Sequence, residues 1–224
     1  MNGKLIVLEG IDGSGKSSQY ELICKKLNAD GIKFYNTDFP RYDKESSALI
    51  RLYLNGEFGT DPEDVNAYAA STFYAVDRYA SYKDDWGKFY ESGTLIFSDR
   101  YTTSNAVHQG CKVPTDQLND YFSWLRDFEY LKMGLPQPDL VLYLDIPLEL
   151  AEKRRHIREA EGLSKADIHE KDSEYLAKCL KTADMACRFF NWKRVASLNS
   201  DGSERSIDDI NEEIYSIISE WIKK

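Results

Sequence analysis

A glycine-rich segment near the start of the chain has the residue types and spacing to bind a chain of phosphate groups. It runs from Gly10 to Ser17 and matches the pattern G-x-x-x-x-G-K-[ST]. The glycines let backbone N–H groups face an anion, Lys16 adds a positive charge beside the outer phosphates, and the Ser17 hydroxyl is a ligand for Mg²⁺. An apolar run precedes the segment and a helical pattern follows it, as this chemistry requires. We therefore expect a nucleoside triphosphate site here.

Charged residues also follow two other strand-like runs. The carboxyl ends of parallel strands face a ligand crevice, so residues at these positions can act together. Asp99 and Arg100 follow the run Thr94–Ser98, and we expect Asp99 near Mg²⁺ and Arg100 between two phosphate groups. The alternative is a solvated surface ion pair. The segment Phe39–Tyr42 follows an earlier run. Its Arg41 and Tyr42 are expected to hold an acceptor phosphate, with Phe39 and Pro40 forming a wall of the site.

Two side chains on a predicted helix suggest a site for a nucleobase. Tyr74 and Arg78 lie four residues apart in the helical segment Asp64–Tyr82, so they share one face. An aromatic ring beside a guanidinium can stack on a base and donate to its carbonyl. Taken alone, the pair is equally typical of a core aromatic residue beside a solvated arginine.

The elements that must position these residues alternate between strand and helix. Five apolar runs rich in β-branched residues are expected to be strands: Lys4–Glu9, Ile32–Thr37, Thr94–Ser98, Leu140–Asp145 and Arg194–Leu198. Longer segments with helical periodicity lie between or after them: Lys16–Ala29, Asp64–Tyr82, Thr115–Tyr130, Leu148–Glu159, Glu170–Phe189 and Ile207–Ile222. This alternation predicts an α/β fold, with a parallel five-stranded sheet, strands buried on both faces, and helices on both sides.

The size and charge of the chain limit its function. A length of 224 residues suits a single domain, here residues 1–224. Within it, Gly162-Leu163-Ser164 interrupts a helical pattern and suggests a lid at about 154–170. The net charge of −9 argues against a partner such as nucleic acid. The N-terminal apolar run is too short for a signal peptide or a membrane span, and the four cysteines lack paired spacing, so the expected location is the cytoplasm.

The class of phosphate-binding protein can be narrowed. The base-recognition motif N-K-x-D of GTPases does not occur in the chain, and an ATP-driven switch would normally need further domains. These features favour a small-molecule kinase. A binding protein that senses nucleotide without turnover is the alternative from another class, although such a protein could lose the charged residues that this chain retains.

In its ordered motifs, the chain resembles the thymidylate kinases over nearly its whole length. The matching segments are 8–17, Phe39–Tyr42, Tyr74–Arg78, Asp99–Tyr101 through Asn105, Gly134–Asp139, Leu144–Pro147 and Ala151–Arg154. The resemblance implies a P-loop nucleoside monophosphate kinase fold with a helical lid, working as a homodimer. It also implies transfer of the γ-phosphate of ATP to dTMP with Mg²⁺ as cofactor. The alternative within enzymes is a kinase for a nucleoside or for another nucleotide.

The resemblance also implies a role for individual residues. The ATP site would comprise Gly10, Gly13, Ser14, Gly15, Lys16, Ser17, Ser18 and Arg154. The dTMP site would comprise Asp12, Phe39, Pro40, Arg41, Tyr42, Tyr74, Arg78, Arg100, Ser104, Asn105, His108, Gln109 and Glu170. Mg²⁺ would be held by Ser17, Asp99 and Asp12. The catalytic charges would be Lys16, Arg100, Arg154 and Arg158, with the last acting mainly in the transition state.

Two positions depart from the usual family pattern, which has phenylalanine more often at position 74 and an aromatic ring of Tyr or Phe at position 108. Here these are Tyr74 and His108. In addition, some relatives carry a basic residue in the P-loop at the position of Gly13. A glycine offers only its backbone N–H, so the missing charge is expected to come from the lid arginines.

Overall fold

The computed structural model describes residues 2–160 and 173–223, with positions 158, 159 and 173 described by their backbone alone. The strands of the described residues are β1 Leu5–Glu9, β2 Phe34–Asp38, β3 Leu95–Asp99, β4 Leu140–Asp145 and β5 Lys193–Ala196. The helices are α1 Lys16–Ala29, α2 Ala48–Leu54, α3 Ala67–Ser81, α4 Gly87–Glu91, α5 Thr102–Ser104, α6 Leu118–Arg126, α7 Leu148–Ala160, α8 Ser173–Phe190 and α9 Ile207–Ile222.

The five strands of the described residues form one sheet in the order β2-β3-β1-β4-β5, and every neighbouring pair is parallel. The α/β class and the parallel sheet predicted from the sequence are confirmed. Because β1 lies between β3 and β4, the loops that follow these three strands meet at one edge of the sheet.

Alternate residues of β1 pack into the two layers of the core, one on each face of the sheet. Ile6 and Leu8 pack in a cluster that includes residues of α1 and α9. Leu5 and Val7 point to the opposite face, where Trp86 is fully buried. Helices therefore cover both faces, as predicted, and apolar side chains on both faces of β1 are removed from water.

The expectation that all strands are buried on both faces is wrong for β2 and β5. In each of them a single residue is buried, Thr37 in β2 and Val195 in β5. Both strands lie at the lateral edges of the sheet, where no further strand of the described residues pairs with them.

Wider helical turns extend three of the helices and were not predicted. A π-helical turn, Tyr82–Trp86, continues α3 into α4, and a second one, Asp127–Lys132, continues α6. A third, Asn105–Gln109, follows α5. Such turns shift the face that a helix presents to its neighbours and are frequent at functional sites.

Several other features bear on the sequence predictions. Among the helices of residues 2–160 and 173–223, none is long and apolar enough to cross a membrane. All four cysteines lie in these ranges and are free thiols. The tip of the predicted lid lies outside the described residues, so the lid and the single-domain organisation remain predictions.

Candidate active site

The phosphate-binding loop follows β1 directly and leads into α1. Gly13 and Gly15 have φ values of 84° and 85°, a left-handed conformation that side chains other than glycine rarely adopt. Space also requires glycine at position 13, because a Cβ there would lie 2.4 Å from the carbonyl oxygen of Ala151 in α7. The loop therefore has the shape and the close packing expected of an anion cradle at a helix N-terminus.

Lys16 at the start of α1 and Asp99 at the end of β3 form an ion pair of 2.5 Å. The lysine side chain is only 8% exposed. Its burial and then the neighbouring Arg100 lower the pKa of Lys16, and Asp99 only partly offsets this. An incoming polyphosphate would add the negative charge that favours the ammonium form.

Arg100 lies between the loop after β1 and the segment after β3. Its Nη2 donates to Asp12 Oδ1 at 2.6 Å, and its Nη1 lies 3.1 Å from His108 Nε2 and 3.5 Å from Glu9 Oε1. Burial alone would lower the pKa of Arg100, but the carboxylates of Asp12 and Glu9 outweigh it and raise that pKa. Arg100 has a φ of 66°, which costs roughly 1–3 kcal/mol for a residue other than glycine and occurs mostly where function requires it.

His108, in the π-helical turn after α5, accepts the hydrogen bond from Arg100. Arginine can only donate, so Nε2 must be unprotonated and the imidazole neutral. Burial and then the charge of Arg100 lower the pKa of His108 to about 4. The ring lies nearly parallel to that of Tyr175 in α8, with 6.4 Å between their centroids.

Glu9 was predicted as the end of a strand and lies in the matching segment 8–17, but no role was assigned to it, and yet it organises the site. It is fully buried and accepts hydrogen bonds from Thr103 Oγ1 at 2.6 Å, from Ser104 Oγ at 2.7 Å and from the Gly10 backbone at 2.9 Å. The glutamate thus ties the phosphate loop to the segment after β3. An acidic residue at the end of an apolar strand and directly before the P-loop was a signal that could have identified it.

Two cavities meet at this edge of the sheet. The inner cavity is lined by most of the predicted acceptor residues: Asp12, Phe39, Pro40, Tyr42, Tyr74, Arg78, Arg100, Ser104, Asn105, His108 and Gln109. Leu54 and Tyr101, which were not predicted, complete the described part of its lining. The P-loop cavity, of about 700 Å³, is lined by residues 11–19, Arg154 and Ile157 of α7, and residues 204–207 and 210. Asp12 lines both cavities.

Arg154 occupies the position expected for a contact with nucleotide. Its Nη1 lies 3.5 Å from the backbone oxygen of Ser14, and its Nη2 lies 3.6 Å from Glu204 Oε2. The side chain therefore lies over the phosphate loop. The side chain of Arg158 and all of Glu170 lie outside the described residues, so their roles stay predictions.

Arg41 was predicted to hold the acceptor phosphate, but its guanidinium is directed elsewhere in this structure. Nη1 donates to Asp85 Oδ2 and to Ser81 Oγ, both at 2.8 Å. The residue does not line the inner cavity. Its backbone N–H donates to Asp77 Oδ2 at 2.8 Å. A role for Arg41 in binding would require the ion pair with Asp85 to open.

Arg78 is buried. The alternative given above, a core aromatic residue beside a solvated arginine, is therefore wrong for the arginine. Arg78 is 1% exposed and forms a two-pronged ion pair with Glu129, with Nε and Nη2 each 2.6 Å from a carboxylate oxygen. Glu129 lies in the π-helical turn after α6 and was missed in the sequence analysis. No local pattern pointed to it, since the two residues are 51 positions apart.

The oxygen donors near Lys16 suit Mg²⁺. Ser17 and Lys16 line the P-loop cavity, and Asp99 accepts a hydrogen bond from Lys16. Within the described ranges, no group of three His, Cys, Asp or Glu side chains forms a dedicated metal cage. Mg²⁺ needs none, because it usually keeps several waters and binds one or two carboxylates together with substrate phosphates. The residues present therefore fit this ion.

Known proteins resemble the chain in both sequence and structure. A family model described as thymidylate kinase matches residues 8–214. The thymidylate kinase of Mycobacterium tuberculosis (strain H37Rv) is 31% identical over 172 residues, which cover 76% of this chain and 79% of that protein. The human thymidylate kinase is 28% identical over 224 residues, covering 99% and 92%. A solved thymidylate kinase from Candida albicans superposes with a TM-score of 0.72 at 24% identity, over 97% of this chain and 92% of that one, and so shares the fold.

Proposed function

Because the chain belongs to the thymidylate kinase family, we propose that it transfers the γ-phosphate of ATP to dTMP, giving dTDP and ADP. The observation that carries this proposal is that Asp12 lines both cavities and accepts a hydrogen bond from Arg100, which lines the inner one. ATP in the P-loop cavity and a monophosphate in the inner cavity would bring their phosphates together beside these residues.

The charges at this junction are suited to phosphoryl transfer. The reaction needs two anions in line and neutralisation of the charge that spreads over the moving group. Lys16 and Arg100 supply fixed positive charge there, and Arg154 adds another above the loop. A general base is not needed, since the attacking phosphate oxygen is already an anion.

The proposal also covers the metal cofactor, the oligomeric state and the location of the protein. We include Mg²⁺, held by Ser17 and Asp99 with Asp12 nearby, where it would neutralise phosphate charge. We also include a homodimer through α3, because Tyr68, Val76 and Tyr79 are between 38% and 44% exposed on one face of this helix. A cytoplasmic location is consistent with the free thiols.

Substrate preference provides the test. ADP release is measured with ATP and Mg²⁺ against dTMP, dUMP, UMP, CMP, AMP, GMP and thymidine. We expect dTMP to be the best acceptor and thymidine to be inert, since Arg100 lines the inner cavity and its charge suits an acceptor phosphate, which thymidine lacks. Faster turnover of thymidine or AMP than of dTMP would favour the alternative kinases. ATP binding without transfer to any acceptor would favour a nucleotide sensor.

A further inference from the structure

Glu129 is a fully buried carboxylate next to the inner cavity, and nothing in the proposed reaction uses it directly. We propose that Glu129 is a positioning residue that makes the base site select a pyrimidine with a carbonyl at C4 over one with an amino group there. It does so by fixing which hydrogen-bonding groups Asn105 and Arg78 present to the base. This inference rests on the proposed function and identifies the residue that sets its base specificity.

Four donors surround the carboxylate of Glu129. Arg78 donates from Nε and Nη2, each at 2.6 Å, and Thr102 Oγ1 donates at 2.9 Å. Asn105 Nδ2 completes the set at 3.2 Å. An ionised carboxylate offers about four lone-pair positions, so all of them are used. Burial alone would lower the pKa of Arg78, but Glu129 reverses this and raises it, so the guanidinium stays charged while the pair as a whole is neutral.

The orientation of the Asn105 amide follows from its neighbours. Its Nδ2 donates to Glu129 Oε1 at 3.2 Å and to the backbone oxygen of Ser71 at 3.1 Å. A carboxylate and a carbonyl can only accept, so they hold the NH₂ group in place and exclude the flipped amide. Among the described residues, none donates to Oδ1. Asn105 lines the inner cavity, and the group that it keeps for a ligand is therefore an acceptor.

Arg78 presents the opposite character. Glu129 binds Nε and Nη2, and Nη1 lies 3.3 Å from the backbone oxygen of Tyr101. The N–H groups that remain can only donate. The site thus combines a donor from Arg78 with an acceptor from Asn105. Thymine and uracil match it, with a carbonyl at C4 and an N–H at N3. Cytosine has the reverse pattern at both positions and would leave buried polar groups unpaired.

Replacing the carboxylate with an amide of the same size should disturb this arrangement. In Glu129→Gln the new NH₂ group would face donors of Arg78 or Asn105. Only the Ser71 carbonyl would then oppose rotation of the Asn105 amide. Rotation relieves the second conflict and turns Nδ2 toward the cavity, where N3 of cytosine can accept. Loss of the negative charge also frees the Arg78 guanidinium from its fixed orientation.

The test compares wild type, Glu129→Gln and Glu129→Asp, using kcat and KM for dTMP and dCMP, and calorimetry of dTMP binding without ATP. For Glu129→Gln we expect the ratio of kcat/KM for dTMP over dCMP to fall about 10-fold or more. The change should lie mainly in KM for dTMP and appear as weaker dTMP binding, with KM for ATP unchanged. Glu129→Asp keeps an acceptor-only side chain, so its ratio should stay closer to wild type. Asp127→Asn, in the same π-helical turn but 47% exposed at its side chain, is the matched control and should keep the wild-type ratio.

The outcomes separate the two proposals. Equal losses toward dTMP and dCMP in Glu129→Gln, with the ratio preserved, would reduce Glu129 to a structural residue and overturn the inference. Wild-type protein that does not phosphorylate dTMP would instead overturn the proposed function. If Glu129→Gln fails to fold, nuclear magnetic resonance of the wild type decides. Both side-chain amide protons of Asn105 should exchange slowly with solvent, with and without dTMP, and rapid exchange in free protein would contradict the inference.

Discussion

Replacing His108 with glutamine should make the fold less sensitive to acid. In the native protein Nε2 accepts a hydrogen bond of 3.1 Å from Arg100, and the pKa of His108 is lowered to about 4 by burial and by that arginine. Protonation would place a second positive charge against the guanidinium. The glutamine oxygen can accept the same bond but cannot take up a proton, so the variant isolates the titration of the ring.

The size of the effect follows from the difference between the folded and unfolded pKa values. A histidine in an unfolded chain has a pKa of about 6.5. Between that value and the folded pKa of about 4, the unfolded state holds a proton that the folded state does not. The contribution of the neutral His108 ring to the stability of the fold is therefore complete above the unfolded pKa. It is lost as the pH falls from the unfolded pKa to the folded one. At about pH 5 the expected loss is about 2 kcal/mol. The ring borders the inner cavity, where solvent access reduces this toward about 1 kcal/mol.

Urea unfolding at about pH 7.5 and about pH 5 measures the effect for wild type and His108→Gln. Other acid-sensitive groups contribute equally to both proteins and cancel in the difference. When the pH is lowered between these two values, we expect the free energy of unfolding to fall by about 1–2 kcal/mol less in His108→Gln than in wild type. His156→Gln, at an exposed position of α7, is the matched control and should follow wild type. Identical losses in wild type and His108→Gln would refute the reasoning.

The remaining predictions concern the transferring phosphate. Lys16→Ala should stay folded by circular dichroism yet lose about two orders of magnitude in kcat, because its charge serves the ligand, while Lys25→Ala, exposed on the same helix, should keep activity; near-normal turnover in Lys16→Ala would contradict the P-loop assignment. Arg154→Ala should act mainly by raising KM for ATP, since its guanidinium lies over the phosphate loop. Arg158→Ala should lower kcat and kcat/KM together in steady-state kinetics, and a wild-type kcat would remove Arg158 from the transition state.

Signals that lie within a few residues of one another predicted much of this protein. The P-loop is one contiguous segment whose glycines, lysine and serine each have a local reason for their position. Helices α1 and α9 begin and end at the predicted residues, as does β4, because their apolar periodicity and flanking residues are clear in the sequence. Most of the predicted acceptor residues line one cavity because the ends of parallel strands meet at one edge of the sheet.

The irregular parts of the structure were harder to predict from the sequence. The π-helical turn Asp127–Lys132 places Glu129 against Arg78, although a regular helical repeat was predicted there. The edge strands β2 (FYNTD) and β5 (KRVA) carry more polar residues than β1 (LIVLE), a signal that the sequence analysis did not use, and the order of the sheet leaves both partly exposed. The ion pair that directs Arg41 toward Asp85 joins residues 44 positions apart.

By itself, the sequence determined the phosphate chemistry, the alternation of strands and helices, and the family, since these depend on residue types at short, regular spacing. Only the tertiary structure decided which buried charges pair with each other. Thr103 bonds to Glu9 across 94 positions, and Asn105 takes its orientation from Glu129 and Ser71. The physical reason is that a buried polar group must find a partner wherever packing brings one within reach, and the spacing of residues along the chain carries no record of that distance.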